Sequence, residues 1–237
     1  ERRELCDHRD DPPGFFVGAE PVDADEEARR VIPVIAELAS LPVLISVDTT
    51  KASVADAALA AGASIVNDVS AGTADPDMLS VVAAADAGFV AMHMQGTPRT
   101  MQRDPGYDDV THDVGEYLRR RVAAAVATGV RRAAILADPG VGFGKTLEHN
   151  LALLAGLPDL AATAGVPLLV GASRKTFIGR VLGDLPVEER EEGTLAVSVW
   201  CFGRGAAVVR VHDVASSVRA ARLLDVCDRA SQSGVAA

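Results

Sequence analysis

The sequence predicts a parallel α/β fold, a (β/α)8 barrel that is N-terminally incomplete, with six recognisable strands. Three observations carry this. Apolar runs at 43–48, 63–68, 88–94, 133–138, 167–172 and 206–212 each end in polar or charged residues. Helical patterns separate them, which is the rhythm of a sheet buried on both faces. An isolated helical stripe also precedes the first run, and such a helix ordinarily closes a βα unit whose strand lies upstream. A length of 237 residues suits one large domain and calls for no second.

The elements follow in order. Residues 1–17 are rich in charge and lack either periodicity, so they read as an atypical, poorly ordered segment ahead of a barrel domain at 18–230. Asp23 to Glu26 resembles a capping box, and Ala28, Val31, Ile32, Val34, Ile35 and Leu38 then form a helical stripe. Helices are predicted at about 52–61, 76–87 and 109–128, each leading to the next strand. The segment 147–164 reads as helical with an interruption at Pro158. Helices at about 174–183 and 188–203 precede the sixth strand. A last helix at about 214–229 follows it, and the end frays from Ser231.

A formal net charge of −10 argues against a nucleic-acid or anionic-membrane surface, though not against a small anionic ligand met by a local basic cluster. No apolar run is long enough to span a bilayer, and no signal-peptide pattern opens the chain. The cysteines Cys6, Cys201 and Cys227 have neither metal-ligand nor redox spacing. Sparse cysteines suit a reducing cytoplasm, with Cys201 and Cys227 expected as small buried hydrophobes.

Asp48, Asn67, Asp138, Lys175, Arg210 and His212 all fall at or just beyond predicted strand ends, where α/β folds bind ligands. Carboxylates accept from amino and ring N–H groups and Asn both donates and accepts, so the ring suits a flat, nitrogen-rich ligand. Each residue also has a plainer alternative. Asp48 and Asp138 could cap the next helix, Asn67 could serve a turn, and Lys175 could be a solvated helix start. Arg210 and His212 alternate on one strand and so point the same way; together they could hold a diphosphate, the alternative for Arg210 being a buried ion pair. The stretch from Asp138 to Thr146 fails the Walker spacing at Pro139, and its glycines are expected to let backbone approach a flat ligand near Phe143. His93, His112 and His149 have no metal-ligand arrangement and are expected in loop or solvated roles.

The motifs Ile45-Ser-Val-Asp-Thr-Thr-Lys-Ala52, Asn67-Asp-Val-Ser and Met92-His-Met-Gln-Gly-Thr-Pro98 resemble dihydropteroate synthases. So do Asp138-Pro-Gly-Val-Gly-Phe-Gly-Lys-Thr146, Gly171-Ala-Ser-Arg-Lys175 and Arg210-Val-His-Asp-Val214. The resemblance runs from about Gly18 to the last helix. It implies a transferase that joins 4-aminobenzoate to a hydroxymethyl-dihydropterin diphosphate and releases diphosphate. By the same resemblance Asp48, Asn67, Asp138 and Lys175 bind the pterin, and Arg210 and His212 the diphosphate. Phe143, Ser173 and the stem of Lys175 border the aminobenzoate, and Met92 and Gly142 complete the substrate-binding set. Lys175, Arg210 and His212 are the catalytic candidates, with Mg²⁺ assisting departure of diphosphate. A homodimer through exterior helices is implied too, supported by the apolar helix Thr194-Leu-Ala-Val-Ser-Val-Trp200.

Departures from the family pattern sit at the start. The family's opening Asn-x-Thr-x-Asp-Ser-Phe and Gly-Gly-Glu-Ser-Thr-Arg-Pro-Gly motifs have no counterpart here. The expectation is a barrel lacking its first two strands, and with them the Asn that contacts metal or diphosphate, so that no metal ligand is retained. Residues 1–17 then read as unrelated sequence, such as a frameshift or misplaced start produces. Two alternatives stay open: a non-catalytic relative acting as a binding or partner subunit, and a pterin-binding methyltransferase domain.

Overall fold

The computed structural model describes residues 22–97 and 99–232. The disorder expected of residues 1–17, Cys6 and residues 233–237 lie outside the described residues, while Ser231 and Gln232, where fraying is expected to begin, still belong to the last helix. Helix α1 (Ala24–Leu38) leads, capped by the Asp23 side chain, which accepts from the Glu26 N–H at 2.8 Å. The capping box is one-sided: the Glu26 carboxylate turns instead to Arg29 and Arg30. Then follow β1 (Ser46–Asp48), α2 (Ala52–Ala60), β2 (Ile65–Asp68), α3 (Met78–Ala84), β3 (Gly88–Met92) and α4 (Val110–Thr128). The chain continues with β4 (Ile135–Asp138), α5 (Leu147–Ala155), α6 (Leu157–Ala164), β5 (Leu169–Val170) and α7 (Thr176–Val181). It ends with α8 (Glu191–Gly203), β6 (Val208–Val209) and α9 (Val214–Gln232).

All six strands are parallel. β1 to β4 form one sheet in chain order, β5 and β6 form another, and an isolated parallel bridge between Ala137 and Leu168 joins the two. This is barrel architecture without closure. Among the described residues no strand lies between β6 and β1. The curl nevertheless brings their carboxyl ends together, since Arg210 Nη1 donates to Asp48 Oδ2 at 2.7 Å.

The strands alternate faces, as the pleat requires. Val47, Val66, Phe89, Ala91, Ile135, Ala137, Leu168 and Val170 belong to the core formed with the helices. Asp48, Asn67, Met92 and Asp138 sit at the alternate positions and so face the barrel interior. Arg210 follows Val209, which packs against the core, and shares their direction.

Several boundaries differ from the sequence expectation, each for a local reason. Strand pairing starts at Ser46, not at 43, because the Val43 N–H turns back to the Leu41 carbonyl. The helix expected over 147–164 breaks at Gly156 and not at Pro158. Proline is tolerated in the first turn of α6, while a Cβ at Gly156 would sit 2.7 Å from Thr111 Cγ2. Cys201 is buried as expected, but Cys227 is exposed on α9. Its helix runs along the outside, with Val218, Leu223 and Val226 also exposed.

Candidate active site

The polar strand ends converge. β1 and β2 are in register with Asp48 opposite Asn67, and Asn67 Nδ2 donates to Asp48 Oδ1 at 2.9 Å. The second oxygen of Asp48 takes the Arg210 guanidinium, so this carboxylate ties β2 to β6 across the mouth. Both partners are about half exposed, so the pair is open to ligand and solvent, unlike a buried ion pair. The Asn67 side-chain oxygen is buried without a hydrogen-bond partner. An acceptor left in this way is expensive unless something supplies a donor. Gly171 lies beside Arg210: a Cβ there would make ordinary contact, 3.4 Å from Arg210 Nε.

Asp138 ends β4 and is buried. Its Oδ1 accepts from the Gly140 N–H at 2.7 Å. Burial raises its carboxyl above the usual range, with Lys175, Gly140, Arg210 and Lys145 acting in the opposite direction. The loop that follows uses left-handed backbone at Gly140, Gly142 and Gly144. They let the loop pack on its own neighbours: a Cβ on Gly140 would stand 1.9 Å from the His93 carbonyl oxygen, and one on Gly144 2.9 Å from that of Gln95. A Cβ on Gly142 would press on the Lys175 stem at 2.8 Å.

Beneath this loop lies a buried cation. Lys145 Nζ reaches the Phe143 carbonyl at 2.9 Å and His93 Nδ1 at 3.0 Å. With Nζ as donor, His93 carries its proton on Nε2. His93, in the loop just past β3, is buried too, its ring edge-on to Tyr117 at 4.9 Å, which overturns the solvated role expected for it. Burial, then the Lys145 charge, holds the His93 imidazole down at about 3. Burial also brings the Lys145 ammonium down to about 7, offset in part by Asp138. His149, also expected to be solvated or in a loop, completes the capping box of Thr146 at the start of α5.

Lys175 precedes α7, donates to the Val141 carbonyl and stands over the Phe143 ring at 4.5 Å from its centre. Its ammonium is lowered to about 7 by burial, with Asp138 raising and Arg210 lowering it further. Ser173 Oγ and His212 Nδ1 lie 2.7 Å apart, and the His212 N–H donates back to that hydroxyl at 3.3 Å. The mouth therefore carries Lys175, Arg210 and His212 on one side and Asp48, Asn67 and Asp138 on the other. Among the described residues no group of three or more His, Cys, Asp or Glu side chains is placed to hold a metal ion.

A sequence model of the family described as "Pterin binding enzyme" matches residues 16–212. The dihydropteroate synthase of Neisseria meningitidis serogroup B is 44% identical over 209 residues, which is 87% of this chain and 73% of that one. The chain belongs to the dihydropteroate synthase family.

Solved members of the family superpose closely. The dihydropteroate synthase of Burkholderia cenocepacia complexed with 7,8-dihydropteroate gives a TM-score of 0.85 at 42% identity, covering 92% of this chain and 79% of that one. That of Xanthomonas albilineans with 4-aminobenzoic acid gives 0.83 at 42% identity, covering 89% and 75%. Against the dihydropteroate synthase pattern, the structure gathers Asp48, Asn67, Asp138, Lys175, Arg210 and His212 at one mouth. Phe143, Gly142 and Ser173 lie directly beside them. Met92 is fully buried beside Asp138 in register and adds wall, not a polar contact. Two groups escaped the sequence reading. In the sequence Lys145 stands only as part of a glycine loop, and nothing in its spacing pairs it with His93. The Thr176 hydroxyl, one residue past Lys175, is buried without a hydrogen-bond partner. A second hydroxyl in a Ser-Arg-Lys-Thr helix start was the available signal.

Proposed function

We propose that this chain condenses 6-hydroxymethyl-7,8-dihydropterin diphosphate with 4-aminobenzoate, giving dihydropteroate and diphosphate. The observation that carries the reading is the shared inner face. Asp48, Asn67 and Asp138 present acceptors and one amide to a flat heterocycle, while Arg210 and His212 stand at the adjoining edge. The unpartnered oxygen of Asn67 suits an N–H of the pterin ring, and the amino and ring N–H groups suit the Asp138 carboxylate.

In the reaction the bond between the pterin methylene carbon and the diphosphate oxygen breaks, and its electron pair leaves with diphosphate. A carbon–nitrogen bond forms to the arylamine, which loses one proton to solvent. Arg210 and His212 meet the negative charge that develops on the leaving oxygens. Asp138 and Asp48 face the positive charge that develops on the pterin. Phe143 and the Lys175 stem border the arylamine and set its approach. The nucleophile is neutral, so the site needs no strong base. Magnesium would supply further positive charge to the departing diphosphate, and among the described residues no group of three or more His, Cys, Asp or Glu side chains is placed to hold it. Asp48 is already committed to Asn67 and Arg210.

We also place the chain in the cytoplasm as a homodimer. No helix among the described residues is long and apolar enough to cross a membrane, and the free cysteines fit a reducing compartment. The surface supporting a second copy is an apolar groove of about 350 Å³ between α5, α7 and α8, lined by Leu151, Leu154, Phe177, Ile178, Val197 and Trp200. A patch of this kind exposes Leu151, Val181, Leu182 and Trp200 together.

The deciding experiment measures diphosphate release with both substrates present and identifies dihydropteroate by mass. Release that requires both substrates is expected. Pterin binding without turnover would replace this reading with that of a binding or partner subunit.

A further inference from the structure

Arg174 sits between Ser173 and Lys175, yet its side chain leaves the mouth: Nε donates to Glu191 Oε2 of α8 at 2.8 Å. Its backbone is left-handed, with φ of 56°, a conformation that side-chain-bearing residues avoid. Such a turn persists only where its surroundings over-determine it, and here α8 supplies the surroundings. The Arg174 N–H donates to Thr194 Oγ1 at 2.9 Å, and Arg190 Nη1 donates to the Arg174 carbonyl at 3.0 Å. Thr194 is itself buried and spends its own proton on the Arg190 carbonyl at 2.8 Å. The helices have no slack between them. A Cβ on Gly193 would stand 2.4 Å from Ile178 Cγ2, and one on Gly179 2.6 Å from Arg190 Nε.

We infer that Arg174, Arg190, Glu191 and Thr194 form a positioning set that fixes how Ser173 and Lys175 diverge into the site. This rests on the synthase reading above. None of the four is placed at the reacting atoms; they act through Ser173, which holds His212, and through Lys175, which stands over Phe143. Because α8 also lines the apolar groove, whatever seats α8 bears on the placement of both residues.

The test substitutes Thr194→Val, which keeps volume but removes the acceptor for the Arg174 N–H, beside Thr194→Ser, which keeps it. In Thr194→Val, kcat/KM for 4-aminobenzoate is expected to fall about tenfold, the scale of one lost hydrogen bond. Pterin binding is expected to stay within about twofold, because Asp48, Asn67 and Asp138 are not on this turn. Thr194→Ser restores the rate, and Glu191→Gln gives a smaller fall in the same direction. Hydrogen exchange over residues 172–176 provides a readout free of turnover, with about tenfold faster exchange expected in Thr194→Val. Unchanged exchange, faster exchange without a change in kcat/KM, or failure of serine to restore each overturn the inference. A wild-type chain without turnover sinks the synthase reading instead, and exchange alone then decides whether α8 holds the turn.

Discussion

His93 makes stability depend on pH in a window of its own. Its imidazole is held at about 3, below the usual 6.5, because burial and the Lys145 charge both disfavour protonation. Between those values the unfolded chain binds a proton that the folded chain does not, so stability falls as pH drops from 6.5 towards 3. Integrated from pH 7.5 to pH 5, the loss from this one group is about 2 kcal/mol, or roughly 4–8 °C in Tm for a chain of this size. Lys145, lowered to about 7 from 10.5, acts elsewhere: stability gains with rising pH between those values, and below 7 its contribution is flat. The assay is urea unfolding at pH 7.5, 6 and 5, with His93→Asn measured alongside. The Asn amide oxygen can stand where Nδ1 accepts from Lys145, and it does not titrate. The variant is expected to be less stable throughout but to lose about 2 kcal/mol less on acidification than the wild-type chain. Parallel losses in the two proteins would refute the assignment, because Asp68, Asp138 and the other carboxylates are common to both.

Other outcomes follow from the same geometry. Gly140→Ala combines left-handed backbone with a Cβ 1.9 Å from the His93 carbonyl oxygen. It is expected to cost about 2–5 kcal/mol, readable as a Tm lowered by roughly 5–20 °C. Arg210→Met removes the guanidinium but leaves the Asn67 to Asp48 hydrogen bond; turnover is expected to fall about 100- to 1000-fold with pterin binding changed little, checked by rate and fluorescence titration. Trp200→Glu places a charge in the apolar groove, and sedimentation is expected to shift from dimer to monomer.

How far the sequence could be read depended on whether the cause was local. Polar residues at the ends of apolar runs are a local pattern, and pleat alternation then forces Asp48, Asn67 and Asp138 onto one face. The break in 147–164 was misplaced for the same reason in reverse. Pro158 is the visible disruptor, but the break falls at Gly156, where the chain packs closely on Thr111, 45 residues away. His93 and Lys145 lie 52 residues apart and meet only because β3 and β4 pair in register. Cys227 looked like a core residue by type, yet its burial depends on what covers α9, which no periodicity reports.

A chain of net charge −10 that binds an anion has to invert its field locally, and Lys175 shows what that inversion entails. Burial disfavours the Lys145 and Lys175 ammoniums first, and Lys175 adds to this for Lys145 as Arg210 does for Lys175. With the Lys175 ammonium brought down to about 7, its neutral form predominates at pH 8 before the ligand binds. A diphosphate brought beside it favours the charged form and raises that value, so binding takes up a proton from solvent. Calorimetric titration of the pterin diphosphate at pH 8, in two buffers of different ionisation enthalpy, measures this uptake directly. A positive uptake approaching one proton is expected, and Lys175→Met is expected to abolish most of it. Zero uptake in the wild-type chain, or an uptake that survives Lys175→Met, would place the proton on another group and leave Lys175 as a steric border to the arylamine alone.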